Sequence, residues 1–361
     1  MSVEAEPPAR PYPWPRGLVV ELTWRCDHAC GHCYNVWKNP GVPAPEPLPT
    51  AALLSLLDRV VDEAHLSLLT LTGGEPLLHP GFFEVVEHLA PRVGLNLITH
   101  GGHLDDHTIA RLVPDRIRTW ELPLLAGRRA LHDALSGRPG AFDRATAAMA
   151  ALKAARQRVV AVFVALRPNL AELERVVELC VALGVDGLML NRFNPGGAGA
   201  RGIAALQADP SALQTMLDEA EALAARWDLP VACSIALPPC LLDLSRHLHL
   251  TAGFCALGTE NAYYTVDPAG RLRPCNHSPT ILGDLQTQPL RALLDGAELE
   301  AYVAARPAAC AGCALERRCQ GGCKAAAEAC VGSPWEPDPF LGSFMHLGRL
   351  GSPGITLSGS R

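Results

Sequence analysis

The chain has 361 residues, enough for two or three average domains or for one large barrel with an appendage. Its 37 acidic against 31 basic side chains leave a net charge of −6, which offers no footprint for a phosphate backbone and sets nucleic acid aside as a partner. A hydrophobic content of 48% excludes a disordered chain, 32 glycines and 31 prolines make it loop-rich, and no run of about 18 uncharged apolar residues supplies a membrane span.

In chain order, residues 1–16 form a Pro-rich arm with Pro7, Pro8, Pro11, Pro13 and Pro15, without the apolar core of a secretory signal, so a cytoplasmic location is expected. Short β-branched runs predict strands at 18–23, 66–72, 94–99, 117–122, 159–165 and 187–191. Amphipathic stretches predict helices near 51–65, 80–90, 104–113, 141–155, 170–183 and 210–226. Six strand–helix units in succession imply an α/β fold with a parallel sheet, either open and doubly wound or curled into an incomplete barrel. The first domain is expected to span 17–234. From about 235 helical periodicity weakens and eight of the thirteen cysteines fall between Cys240 and Cys330, which predicts a second, cysteine-rich domain over 235–331. The Ser, Gly and Pro content from 332 to 361 predicts a flexible tail.

Ligand chemistry in such sheets sits at the carboxyl ends of the strands. The unusual residues cluster there: Cys26, Cys30 and Cys33 after the first strand, Gly73-Gly74-Glu75-Pro76 after the second, Thr99-His100-Gly101-Gly102 after the third, and Asn191-Arg192-Phe193-Asn194-Pro195-Gly196-Gly197 after the sixth. An odd number of cysteines in a reducing compartment points to metal rather than to a disulfide framework. Three thiolates on the short loop Cys26-x3-Cys30-x2-Cys33 can wrap one face of a [4Fe-4S] cube and leave one iron open. The competing reading is a zinc knuckle, although structural zinc takes four ligands with paired spacing.

The CxxxCxxC loop, followed about 40 residues later by Gly-Gly-Glu-Pro, resembles the radical S-adenosylmethionine (SAM) superfamily, whose fold is a (βα)6 partial TIM barrel. The resemblance implies that Cys26, Cys30 and Cys33 hold a [4Fe-4S] cluster whose open iron chelates SAM, and that an electron from it releases a 5′-deoxyadenosyl radical. It further places His32, Gly73, Gly74 and Glu75 in the SAM site, with the backbone of Asn191 and Arg192 near the adenine. Where many relatives carry Ser-x-Asp-Gly after the fourth strand, this chain reads Glu121-Leu122-Pro123-Leu124-Leu125-Ala126-Gly127. Glu121 is either a substitute for the missing serine contact or an ordinary strand-end carboxylate.

Beyond residue 250 the order is Cys255, Gly270, Cys275, Cys310-x2-Cys313-x5-Cys319-x3-Cys323 and Cys330. This resembles the SPASM domain, which carries two auxiliary [4Fe-4S] clusters. The resemblance assigns Cys255, Cys275 and Cys323 to the first, and Cys310, Cys313, Cys319 and Cys330 to the second. A fourth ligand to the first is missing, with Cys240, His277 and Glu260 as candidates beside an open site. Paired zinc sites are the competing reading. Cys180 and Cys233 read as buried hydrophobes, and His132-Asp133 as loop-fixing residues.

The function implied is an oxidoreductase that modifies a peptide or protein side chain, in the manner of ribosomal peptide maturases, with a flavodoxin or ferredoxin as electron donor. Only about 17 residues precede the first strand, so substrate recognition is expected to need a separate leader-binding protein or a short substrate. Sulfatase maturation is disfavoured because Asn276, a neutral amide, follows Cys275 where those relatives carry an Asp base. The alternatives are radical modification of a small-molecule precursor and, from another class, an iron–sulfur electron carrier or scaffold without catalysis.

Overall fold

In the computed structural model, residues 12–39, 41–113 and 116–345 are described. Most of the Pro-rich arm and the tail beyond 345 lie outside them.

Six parallel strands run in sequence order as neighbours: β1 (Gly17–Thr23), β2 (Leu68–Gly73), β3 (Gly94–Ile98), β4 (Thr119–Pro123), β5 (Val159–Ala165) and β6 (Gly187–Arg192). Helices cross over between them, among them Thr50–Ala64, Phe82–Leu89, Asp106–Leu112, Ala141–Ala154 and Leu173–Leu183. Strand alternation decides between the two predicted architectures. The residues of one face, namely Val20, Leu22, Leu69, Leu71, Leu95, Leu97, Trp120, Leu122, Phe163 and Leu190, are buried in one continuous core with the helices. The opposite face carries Val19, Thr70, Asn96, Ile98, Glu121, Val162 and Asn191, and instead of a second helical layer it encloses a cavity of about 430 Å³. The register keeps these residues side by side, with Val19 opposite Thr70, Thr70 opposite Asn96, and Ile98 opposite Glu121. An open doubly wound sheet would cover both faces, so the six units form the partial barrel.

The sheet extends past the six predicted strands on both edges. β7 (Val231–Cys233) and β8 (Leu250–Ala252) continue in parallel beyond β6. On the other edge β9 (Thr265–Val266) pairs in parallel with β1, followed by antiparallel β10 (Arg271–Arg273) and β11 (Gly283–Asp284). The hydrogen-bonded ladder therefore crosses the expected boundary at residue 235. Strands of two or three residues have no period to detect, which is why they escape a pattern-based reading.

Two further differences bear on the site. A helix at Arg129–Ser136, closed by Gly137 at φ 60°, follows β4 where the pattern predicts none. The segment after 332, expected to be a flexible tail, instead folds back into the helix Pro339–Met345, with Asp338, Phe340 and Leu341 buried. Its anchor is the Asp338 carboxylate, which pairs with Arg192 and accepts from the amides of Cys323 (2.8 Å) and Phe340 (2.9 Å). Among the described residues no helix is long and apolar enough to cross a membrane.

Candidate functional site

The first cysteine loop leaves β1 at Thr23 and is clamped by the glycines that end β2. Gly74 donates to the Thr23 carbonyl and Glu75 to the Arg25 carbonyl, each at 2.7 Å. A side chain at Gly73, with φ +135°, or at Gly74 would collide with those same carbonyls, so the glycines serve close backbone approach to the strand exit. Glu75 turns inward. Its carboxylate is fully buried and accepts from Thr99 Oγ1 (2.7 Å), His100 N (3.0 Å) and Leu77 N (3.2 Å), and burial raises its pKa to about 7. One side chain thus ties the ends of β2 and β3 together behind the cysteine loop.

Within the loop, Cys26 Sγ accepts from the His28 amide and the Cys30 thiol donates to the Ser136 carbonyl, both at 3.4 Å, the latter on the unforeseen helix. Burial pushes the Cys30 thiol up to about 12, with Cys33 and Cys26 adding to the effect. Lys38 is the basic side chain that opposes this at both Cys26 and Cys30. Thiolates at such positions need a bound metal to be stable. Tetrahedral zinc with Zn–S bonds of about 2.3 Å would require sulfurs about 3.8 Å apart. Among the described residues, the group of three metal-binding side chains with ligand atoms within 4.8 Å of one another is Cys26, Asp27 and His100, not the three cysteines. Their wider spread suits a multi-iron cluster and not a closed single-ion site.

His32 lines the cavity; its Nδ1 is buried without a partner among the described residues, and burial lowers its pKa to about 4. The ring is therefore neutral at the cavity wall. The loop after β6 packs over this segment, Gly199 donating to the Cys33 carbonyl at 3.1 Å. Asn191 and Arg192 also line the cavity, but their side chains are engaged elsewhere. Asn191 Oδ1 accepts from Ser234 N (2.8 Å) and Ile235 N (3.3 Å), while Arg192 donates to the Ala236 carbonyl (2.7 Å) and pairs with Asp338. Sequence reasoning assigns these two by their backbone, and misses the role of their side chains in fixing the neighbouring loop.

Cys255, Cys275 and Cys323 line the same cavity as the barrel strands. Burial raises the Cys275 thiol, with Cys323 and Cys255 the next causes. Of the candidate fourth ligands, His277 lines the same cavity as the three cysteines. The ring of His277 packs on Tyr34 at 3.9 Å and its Nδ1 bonds Asn194 at 3.0 Å, whereas Glu260 pairs with Arg16 at the surface. Cys240 is exposed, and Cys330 lies on the helix Lys324–Val331. Cys180 and Cys233 are buried in the core, and Asp133 accepts from Gly140 N (2.6 Å) and Phe142 N (2.8 Å), fixing its loop as expected.

Glu121 is the carboxylate of the cavity lining. Its side chain has no hydrogen-bond partner among the described residues, and burial alone raises its pKa to about 7. Tyr34 closes the cavity nearby, its hydroxyl accepting from Asn276 Nδ2 at 3.1 Å.

Two sequence-family profiles match the chain: the radical SAM superfamily over residues 20–180, and the iron–sulfur cluster-binding SPASM domain over residues 255–320. The PqqA peptide cyclase of Ruegeria pomeroyi is 30% identical over 346 residues, covering 92% of this chain and 89% of that protein. The AdoMet-dependent heme synthase of Methanosarcina barkeri is 26% identical over 343 residues, 90% of this chain and 96% of that protein. Among solved structures, Streptococcus suis SuiB bound to its precursor peptide SuiA superposes with a TM-score of 0.69 at 16% identity, covering 90% of this chain and 75% of that one.

Proposed function

The chain belongs to the radical SAM superfamily and carries a SPASM domain, and from that premise we propose that it is a peptide maturase that oxidises a side chain of a peptide or protein substrate. Its cofactors are [4Fe-4S] clusters and SAM. In this reading Cys26, Cys30 and Cys33 hold the SAM-binding cluster, and Cys255, Cys275 and Cys323 hold an auxiliary one. When bound, the first cluster supplies the electron that cleaves SAM to a 5′-deoxyadenosyl radical. The observation that carries the proposal is one cavity lined both by His32 of the first cysteine loop and by Cys255, Cys275 and Cys323. The PqqA peptide cyclase and the peptide-bound SuiB support a peptide as occupant. A cytoplasmic setting, a flavodoxin or ferredoxin donor and a separate leader-recognition protein belong to the same proposal.

Within the cavity the chain's own side chains do three things. Val19, Ile98, Val162 and Val164 exclude water from a reactive species. His32, at the cavity wall, lies against the nucleoside. Glu121 exchanges a proton with the substrate, being neutral below about pH 7 and a base above it. Glu121→Gln is expected to lower product formation by about 10²-fold or more, leaving SAM cleavage without substrate intact. The wild-type rate should rise with pH through about 7 and level off, and the variant should lack that limb.

Co-expression with short peptides encoded beside the gene, followed by mass spectrometry, tests the proposal. A peptide lighter by two hydrogens, with deuterium carried from the labelled side chain into 5′-deoxyadenosine, is the expected result. Unmodified peptides, with SAM cleavage stimulated by a small molecule, would favour the second reading, which the likeness to the heme synthase supports.

A further inference from the structure

We propose that Arg273 is a positioning residue: through its pair with Glu21 it sets the Cys275 turn against the first cysteine loop and so fixes one auxiliary cluster relative to the SAM-binding cluster. The inference rests on the reading of Cys275 as a cluster ligand and deepens it.

Arg273 ends β10 just before Cys275, and its side chain is fully buried. A guanidinium out of water is costly unless its charge and its donors are met, so its partners define what it holds. Its charge is met by Glu21 of β1, itself 3% exposed. Its Nη1 donates to the Ser278 carbonyl at 2.9 Å, and Ser278 N donates to the Cys275 carbonyl at 3.2 Å. The Cys275 turn is therefore closed on itself and pinned through one guanidinium to β1.

The same ion pair reaches the first cysteine loop. Glu21 precedes Cys26, and its carboxylate accepts from Trp37 Nε1, beyond Cys33, at 3.1 Å. The Trp37 ring centroid lies 5.2 Å from the Arg273 guanidinium carbon, within cation–π range. A second contact joins the two segments directly after their cysteines: Tyr34 accepts from Asn276 Nδ2 at 3.1 Å and packs on His277 at 3.9 Å. From Ser278 the tie continues to the third cysteine of the auxiliary group. The Ser278 hydroxyl donates to Glu328 at 2.6 Å, as does Tyr302 at 2.9 Å, and Glu328 lies on the helix Lys324–Val331 that begins after Cys323. One polar path thus runs from the first loop through Glu21, Arg273, Ser278 and Glu328 to Cys323. A lysine at 273 keeps the charge beside Glu21 but lacks the planar fork that serves the Ser278 carbonyl at the same time.

The test uses the full chain with Cys310, Cys313 and Cys319 changed to Ala, so that anaerobic reconstitution loads the first-loop cluster and one auxiliary cluster. Pulsed dipolar EPR of the dithionite-reduced protein reads the distance between them. The parent should give one narrow distance, and Arg273→Lys should broaden or shift it at unchanged iron content. Hydrogen exchange should quicken by about tenfold or more over residues 274–281 and stay as it was over residues 68–76. SAM cleavage without substrate should be retained, because Gly74 and Glu75 hold the first loop independently. Glu21→Leu combined with Arg273→Met removes both charges, which keeps the fold testable, and should broaden the distance in the same way. An unchanged narrow distance in the loaded double variant would overturn the proposal. So would loss of iron with faster exchange across the whole chain, the mark of an ion pair that only stabilises. Iron at one cluster alone in the parent would overturn the reading of Cys275 as a ligand and this inference with it.

Discussion

Alanine at Cys26, Cys30 or Cys33 will abolish SAM cleavage. The expected loss of 5′-deoxyadenosine reaches background, well beyond the ~10–100-fold that removal of an outer-sphere partner costs. The reason is local. The three thiols share a loop clamped by Gly73 and Gly74, so each variant removes a third of the donor set without disturbing the clamp. Glu75→Ala marks the contrast. It leaves Thr99 and the His100 amide without their shared acceptor, and should lower cleavage within that outer-sphere range while retaining the cluster. Chromatographic assay of 5′-deoxyadenosine with dithionite, beside iron content, separates the two. Normal cleavage in any of the three cysteine variants would remove that loop from the chemistry.

Asp338→Ala is expected to destabilise the fold by about 3–5 kcal/mol, the cost of stranding one member of a buried ion pair. Arg192 is 2% exposed and Asp338 fully buried, so neither charge can turn to water. The same carboxylate holds the amides of Cys323 and Phe340, so its loss frees the cysteine run as well as the C-terminal helix. Denaturant unfolding of metal-loaded protein provides the measurement. Arg192→Met combined with Asp338→Leu should recover much of the loss, because replacing both charges removes the stranded one. A double variant as unstable as Asp338→Ala would mean that the amide contacts, and not the ion pair, dominate.

The six βα units were legible because each strand presents apolar residues with a two-residue period to the helices, as Leu69 and Leu71 or Leu95 and Leu97 do, and because the crossovers are long enough to show their own period. The cysteine spacings and the Gly-Gly-Glu-Pro turn were legible as local strings. What could not be read depends on partners far apart in the chain. Asp338 and Arg192 are 146 residues apart, and nothing in the composition of the tail marks an aspartate as its anchor. The family resemblance places Glu75 in the SAM site, and the hydrogen bonds of its carboxylate to Thr99 and His100 could be found only in the folded chain. Glu121 sits at an inward position of β4, and only the curled sheet shows that no neighbour satisfies it.

The most direct measurement is EPR of the anaerobically loaded, reduced protein with and without SAM, in a chain whose Cys255, Cys275, Cys310, Cys313, Cys319 and Cys323 are changed to Ala. With about four irons bound, a signal that shifts on addition of SAM is the predicted result, since three cysteines leave one iron for the nucleotide. A signal at full iron content that SAM leaves unchanged would contradict the assignment of the first cysteine loop.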